Sequence, residues 1–509
     1  MLWRCSDKCM KYCSIIGAHF VLSPLSFAWV YGNLSEYVDS YFRYACAPKC
    51  MDGDSHWTLG VALAMQCPGI FIAKKFADKV GLKFAGVLAA IIFNACTFAC
   101  AWTVGLSVAW TTVLLGVVMG LMQGVTSAVA FQYVSGWAAD KAPIFMATTS
   151  GFATLSSMLH NQLITAIVNP DNLKPDAVQG SRIFFSQQDI LDKVPTALIA
   201  YGGVTLGFQV VGYLLLPTRA GAGDGTASPD TNKNNDLGRP CSDIVRAEEH
   251  TAHLKSLQNS EFQGSDSCRK TYGSNKYFTT SESGAKTGTQ SVMRTSNDNS
   301  DRESQAKDTS RSLTPIQVLK TPVFYAFFMY GVSMMFGLLL KANYYKQFGL
   351  VYIHNDRYLT LVGTLIPVVA SVSRFLVGAA LNRNLFTIKD VLVVSVAINS
   401  VLCAFWYIVP QVNDLLYMFL ILGLAVVQSL FYMILPLVAL QMFGPAHFST
   451  NHGLILLCAV FVGILGPVVI SPLMNVLGWF WLFGSASILS LLALVFVVSV
   501  DMNPQSLSP

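Results

Sequence analysis

The sequence predicts an all-α polytopic membrane protein: twelve transmembrane helices in two six-helix bundles. Three observations carry that expectation. Of 509 residues, 53% are hydrophobic and only 12% charged, and the mean hydropathy of +0.50 lies outside the usual range of soluble globular chains. Apolar runs long enough to cross a hydrocarbon core of about 30 Å come as six, then a polar stretch, then six more. The two halves also carry copies of one short motif, the mark of a chain built from two parallel repeats.

After an N-terminal tail, 1–13, the first run covers 14–32. It continues into Asn33-Leu-Ser without a small-residue cleavage site, so it reads as a retained span and not a signal peptide. The Asn33 sequon is discounted because it falls at the end of an apolar run. Runs at 57–73, 84–104, 108–134, 145–168 and 196–217 complete the first bundle, 14–217. Gly116, Gly120 and Gly124 place a small residue at every fourth position of the fourth run, which lets helix backbones approach closely. From 218 to 314 Gly, Ser, Thr, Asn and Asp dominate and aromatics are few, the composition of a disordered cytosolic linker. Its serines and threonines are candidate phosphorylation sites. The second bundle, 315–500, has runs at 322–344, 358–381, 391–409, 415–439, 453–470 and 479–500, and 501–509 form the C-terminal tail.

The repeated motif reads KKFADKVGLK (74–83) after the second run and GAALNR (378–383) after the eighth. A Gly stands four residues before an Asp, and then a basic residue follows; the first copy has Lys74 for the Gly, and the second Asn382 for the Asp. The small residue permits close packing, the carboxylate can meet a neighbouring helix N-terminus, and the basic residues hold the loop in the cytosol. Asp78, Lys79, Gly81, Lys83, Gly378, Asn382 and Arg383 are thus the expected gating and topology motif. Lys74, Lys75, Lys79 and Lys83 in one short loop place both termini and the linker in the cytosol.

Composition also excludes several roles. A net charge of +5, spread over loops without a basic face, does not suit nucleic acid. No His/Cys/Asp cluster has metal spacing and no nucleophile motif occurs, so no enzyme activity, metal or cofactor is expected. Cys67, Cys96, Cys100, Cys403 and Cys458 fall in apolar runs, where a thiol packs as a small residue. Cys46 and Cys50 share the first loop and can form a disulfide. Cys5, Cys9 and Cys13 recur beside basic residues near the N-terminus, a pattern suited to reversible acylation.

One arginine stands inside the eighth run. At about 1.5 Å per helical residue, Arg374 lies about 24 Å from Tyr358 and about 12 Å from Asn382, at membrane depth. Such a residue costs about 2.5–3.5 kcal/mol to insert, so it is expected to face a cavity and an anion. The bland alternative is that it snorkels to the headgroups. Tyr31, Gln66, Gln428 and Tyr432, the last two at i and i+4 on one face, are candidate lining residues. Each alone also suits a bond across a helix interface. His19 and His452 are the candidate proton-coupling groups, and His160 is equally open to a structural role.

The layout, AKKFADKVGLK, SGWAADKAPIFMATTSGFATL (135–155), IVNPDNLKPD (167–176), YYKQFGLVYIHNDRYL (344–359), SVSRFLVG (371–378) and FGPAHFSTNHG (443–453) resemble the major facilitator superfamily. Within it they are similar to the oxalate/formate antiporter-like and monocarboxylate carrier branch, which includes plastid pyruvate carriers. The resemblance implies alternating access about a midplane site, with Arg374 matching an arginine that binds the substrate carboxylate. It also shows two departures. Ala459 stands where oxalate carriers bear a second cation, so one fixed charge favours a monoanion over a dianion. Ala370 stands where proton-coupled carriers place an acid. The expectation is therefore secondary-active transport of a small monocarboxylate such as pyruvate, lactate or formate, with H+ a candidate coupling ion and the lipid bilayer as surroundings. The alternatives are a dicarboxylate exchanger and a non-transporting sensor or scaffold that works through the linker.

Overall fold

The computed structural model describes residues 7–46, 56–179, 182–218, 312–353 and 355–502. Helix forms wherever the chain is apolar for a bilayer's width, because in lipid every backbone N–H and C=O must find its partner within the segment. Among the described residues, eleven helical stretches are long and apolar enough to cross a membrane by length and composition. One of them, Val108–Val168, has 61 residues, about 90 Å of helix and three times what a bilayer needs. It folds back at a 3-10 turn, Ala139–Lys141, where Ala138 (φ −142°, ψ 38°) and Lys141 (φ −127°, ψ 28°) leave helical geometry. Counted as two antiparallel helices, it brings the spans to twelve.

Span one runs as Asp7–Val21, a 3-10 turn at Ser23–Ser26 and Phe27–Ser40. Pro24, which has no N–H to give, interrupts it. Span two is His56–Val80, span three Leu82–Thr103, span four ends as Met119–Ala138, span five is Ala142–Val168 and span six Val194–Leu215. Spans seven to ten are Pro322–Tyr352, Asp356–Asn382, Ile388–Phe405 and Asp414–Gln441. Spans eleven and twelve, Phe448–Ile470 and Val476–Ser499, turn at Gly478, whose φ of 73° suits a residue without Cβ. Span one is much longer than its apolar run because its extension is amphipathic: Leu34, Tyr37 and Val38 are buried, while Glu36 pairs with Lys346 of span seven at 3.2 Å.

The stripe of Gly116, Gly120 and Gly124 does what its spacing predicts. A Cβ on Gly120 would meet the Ala62 carbonyl oxygen at 2.5 Å, and one on Gly124 would fall on the Gln66 carbonyl, so spans two and four touch backbone to backbone. The loop between spans five and six departs from the all-helical expectation. There Ala177–Gln179 pairs antiparallel with Arg182–Phe184. Asp176 closes the hairpin by accepting from the Ser186 amide at 2.7 Å and hydroxyl at 2.6 Å, which holds its carboxyl below the usual carboxylate range. Phe184 and Phe185 are buried, Phe185 against Tyr37 at 5.4 Å. The expected linker, all but a few residues at its two ends, lies outside the described residues, as do Cys5 and Cys50. Cys46 is disulfide-bonded, and the thiols of Cys9 and Cys13 are 4.0 Å apart.

Candidate functional site

The two halves meet along two long seams. Spans five and eight are joined where the Ser371 hydroxyl donates to the Gly151 carbonyl at 2.8 Å and Gln162 donates to Thr364 at 3.0 Å. Gly378 sits where a Cβ would meet the Pro143 carbonyl oxygen at 2.9 Å. Spans two and eleven meet at Gly60 and Gly463, at Cys67, whose thiol donates to the Gly453 carbonyl at 3.3 Å, and at Lys74, 3.4 Å from the Thr450 hydroxyl. Glu36 and Lys346 add an ion pair between spans one and seven at 3.2 Å.

Arg374 lies between these seams and is 1% exposed. Its Nε donates to the Ser429 carbonyl at 2.7 Å and its Nη1 to the Ser150 carbonyl at 2.5 Å and the Thr154 hydroxyl. Ser150 and Thr154, one turn apart on span five, belong to the other half of the molecule, so the guanidinium bridges the bundles. Of the five N–H donors an arginine has, those on Nη2 are left without a partner. No carboxylate pairs with the side chain among the described residues. Its guanidinium carbon lies 5.5 Å from the Trp29 ring and 5.9 Å from the Tyr432 ring. The snorkelling alternative does not hold for this side chain, which points inward.

Sequence reasoning missed Lys341. This span-seven lysine is 2% exposed, its Nζ is 4.8 Å from the Trp29 ring centroid and has no hydrogen-bond partner. A second basic side chain is thus buried between the halves, entering from span seven and not from the Ala459 position of span eleven. Its signal was present as the one charge between Pro322 and Tyr345, but helix length alone left it near the end of the apolar run. A cavity of about 30 Å³ between the halves reaches Trp29 and Lys341, lined also by Asn33, Asn161, Thr165 and Thr364. It holds little more than a water or two.

Among the expected lining residues, Tyr432 is brought to Arg374, with Gln66 beside its hydroxyl. Gln66 also donates to Gln123 at 3.0 Å, and Gln123 to the Pro24 carbonyl at 3.2 Å. Gln428 is drawn instead into a chain inside the second bundle: it donates to Asn399 at 3.1 Å, and Asn399 to Ser490 at 2.9 Å. Tyr31 packs on Phe27 at 5.4 Å, and Phe27 in turn faces Tyr201, which lies against His160. His160 is fully used by the Ser156 carbonyl and the Thr205 hydroxyl. His19 is held by the Ile15 carbonyl at 2.6 Å and His452 lies between the rings of Phe131 and Phe448 with Nδ1 unpartnered. Neither is hydrogen-bonded to Arg374 or Lys341.

In the motif copies, Asp78 and Lys79 are exposed, Gly81 turns the chain at φ 89°, and Lys83 donates to the Leu216 carbonyl at the end of span six. Asn382 and Arg383 end span eight, with Asn384 in the left-handed region. Of the seven motif residues, Gly378 makes the close contact between the halves.

No family model matches the chain, and no curated protein matches it in sequence. Solved structures do. The partially occluded inward-open xylose transporter XylE from E. coli aligns with 97% of this chain and 100% of its own at TM-score 0.59 and 13% identity. A D-xylose-proton symporter aligns over 96% and 98% at TM-score 0.57 and 12% identity. The proton:xylose symporter XylE bound to 6-bromo-6-deoxy-D-glucose, described as a major facilitator superfamily protein, aligns over 96% of each chain at TM-score 0.57 and 12% identity. The twelve spans and the cationic centre between their two halves are thus carried on the major facilitator fold.

Proposed function

We infer that the chain is a secondary-active carrier of a small carboxylate, working by alternating access, with Arg374 as the group that grips the substrate. The observation that supports it best is the bridging guanidinium: buried, held on three sides by neutral oxygens, and left with Nη2 to offer. A carboxylate accepts parallel N–H bonds from a guanidinium, and a low local dielectric strengthens the pair. Pyruvate, lactate and formate are the simplest guests with that headgroup. A neutral sugar such as xylose, the substrate of the symporters named above, leaves the buried charge unbalanced. Tyr432 and Gln66 line the place beside the guanidinium. Tyr31 and Gln428 act at a distance, through packing and through the Asn399 chain. The contacts along the two seams are ones that such a cycle makes and breaks, and the motif residues Asp78, Lys79, Gly81, Lys83, Asn382 and Arg383 then belong to the cytosolic gate beside Gly378.

Counterflow in proteoliposomes with a panel of labelled carboxylates, with and without a pH gradient, tests this. Arg374→Ala and Arg374→Lys should lower uptake at least a hundredfold, the loss of a charge-assisted pair of about 3 kcal/mol, while leaving insertion intact. Normal uptake of every tested acid by the alanine variant would refute the assignment.

A further inference from the structure

One indole of the first half holds two cations of the second. Trp29 of span one stands a turn beyond the 3-10 break at Ser23–Ser26, and its ring lies 4.8 Å from the ammonium of Lys341 and 5.5 Å from the guanidinium carbon of Arg374. The backbone around it is fixed. The Asn161 side chain donates to the Trp29 carbonyl at 3.4 Å, and a Cβ on Gly32 would fall on the carbonyl of Ala342, the residue after Lys341, so spans one and seven touch backbone to backbone beside the ring. A cation over an aromatic face is attracted by the ring's quadrupole, more strongly where both are out of water. Lys341 and Arg374 are 2% and 1% exposed, and no carboxylate among the described residues pairs with either. These two contacts therefore tie the halves together through the cations' charge. Trp29 also stands between two places. It lines the narrow cavity on the hairpin side together with Lys341, Asn33, Thr165 and Thr364, whereas Arg374 is not among the residues that line that cavity. Along span eight about 15 Å of helix separates Thr364 from Arg374, so a guest arriving through the cavity meets the indole first.

We propose that Trp29 is the gate between this cavity and Arg374 and that it selects guests by charge: Lys341 and Arg374 latch the indole, and an anion releases it by taking up their unpartnered Nζ and Nη2. The inference rests on the carrier reading of Arg374 and adds a specificity-determining residue to it. A cation paired with an anion loses most of its pull on the ring, so the guest itself loosens the tie that it has to pass. Lys341 borders the cavity and is the cation reached first. A neutral molecule of the same size leaves both cations on the indole and finds the way shut. Charge is thus read before the guest arrives at Arg374, by a side chain that carries none.

The test uses the full-length protein in nanodiscs with Asn33→Cys on the cavity wall, and reads the rate at which a membrane-impermeant maleimide alkylates that cysteine. Position 29 carries the natural tryptophan, a series of progressively fluorinated tryptophans, or Trp29→Leu. Each fluorine draws charge from the ring face and weakens its hold on a cation with little change of shape, so the outcome stands even where Trp29→Leu fails to fold. The rate should climb step by step along the series, by at least about threefold from end to end. Pyruvate should raise it several-fold with the natural indole and little with the most fluorinated one, and pyruvamide, the neutral analogue, should not raise it at all. A rate indifferent to fluorination overturns the proposal and leaves the Arg374 assignment, which is judged by uptake, where it stood. Pyruvamide acting as well as pyruvate also overturns it. A graded response to fluorine with no effect of pyruvate, lactate or formate upholds the latch and sinks the carboxylate reading of Arg374, which keeps the two failures apart.

Discussion

Gly124 and Gly203 show how differently one residue type serves this chain. A Cβ on Gly124 would fall on the Gln66 carbonyl, whereas one on Gly203 meets nothing within 4 Å. Backbone cannot yield as a flexible side chain can, so overpacking there is expected to cost about 1–3 kcal/mol. Gly124→Val should lower the melting temperature of the detergent-solubilised protein and broaden its size-exclusion peak. Gly203→Ala should leave both within error, because it adds a methyl to an open face and removes a helix-weakening glycine. Equal behaviour of the two variants would argue against backbone contact between spans two and four. At the same scale Arg374 and Lys341 are alike in burial and differ in what surrounds them: the arginine is bonded on three N–H groups, the lysine on none.

Among the elements, the turn between spans two and three is the most demanding. A single residue, Gly81, separates His56–Val80 from Leu82–Thr103 at φ 89° and ψ 148°, a region that is essentially glycine-only and costs other residues about 1–3 kcal/mol. Gly81→Ala is expected to destabilise the protein by that amount, read as a lower melting temperature. The same substitution at Gly207, helical and with open space around it, should show no loss. Position 81 therefore needs glycine for conformation, whatever the surrounding lysines do for topology. Span one makes the complementary point. Its run of Asn33, Glu36 and Asp39 ends apolarity in the sequence, yet the helix continues because Glu36 finds Lys346 and Asn33 donates to Thr165 at 3.0 Å.

For the whole molecule, the two halves are joined near the hairpin end by the Glu36 to Lys346 pair, whose side chains are 12% and 4% exposed. Losing one partner of a shielded pair weakens the closed form, and a change of about 1–2 kcal/mol moves an equilibrium about 5–30-fold. Glu36→Gln should accordingly raise the rate at which a membrane-impermeant maleimide modifies a cysteine placed at Asn33 on the cavity wall, several-fold over the same cysteine in the wild-type background. An unaltered rate would show that the pair does not govern closure.

The sequence by itself determined the number of spans, their division by a polar segment, the close approach along Gly116, Gly120 and Gly124, and the depth of Arg374 though not the way its side chain points, because each depends on local properties: run length, residue size at helical spacing, and charge at depth. It did not determine the hairpin at 177–184, since three-residue strands exist only once Phe184 and Phe185 have a surface to cover. Nor did it sort the polar residues, sending Gln428 to Asn399 and Tyr432 to Arg374, because one helix face meets different neighbours along its length. The pairing of Lys341 with Arg374 across Trp29 came from tertiary structure alone: the three residues belong to three helices from both halves, and no spacing along a chain encodes which helices pack side by side.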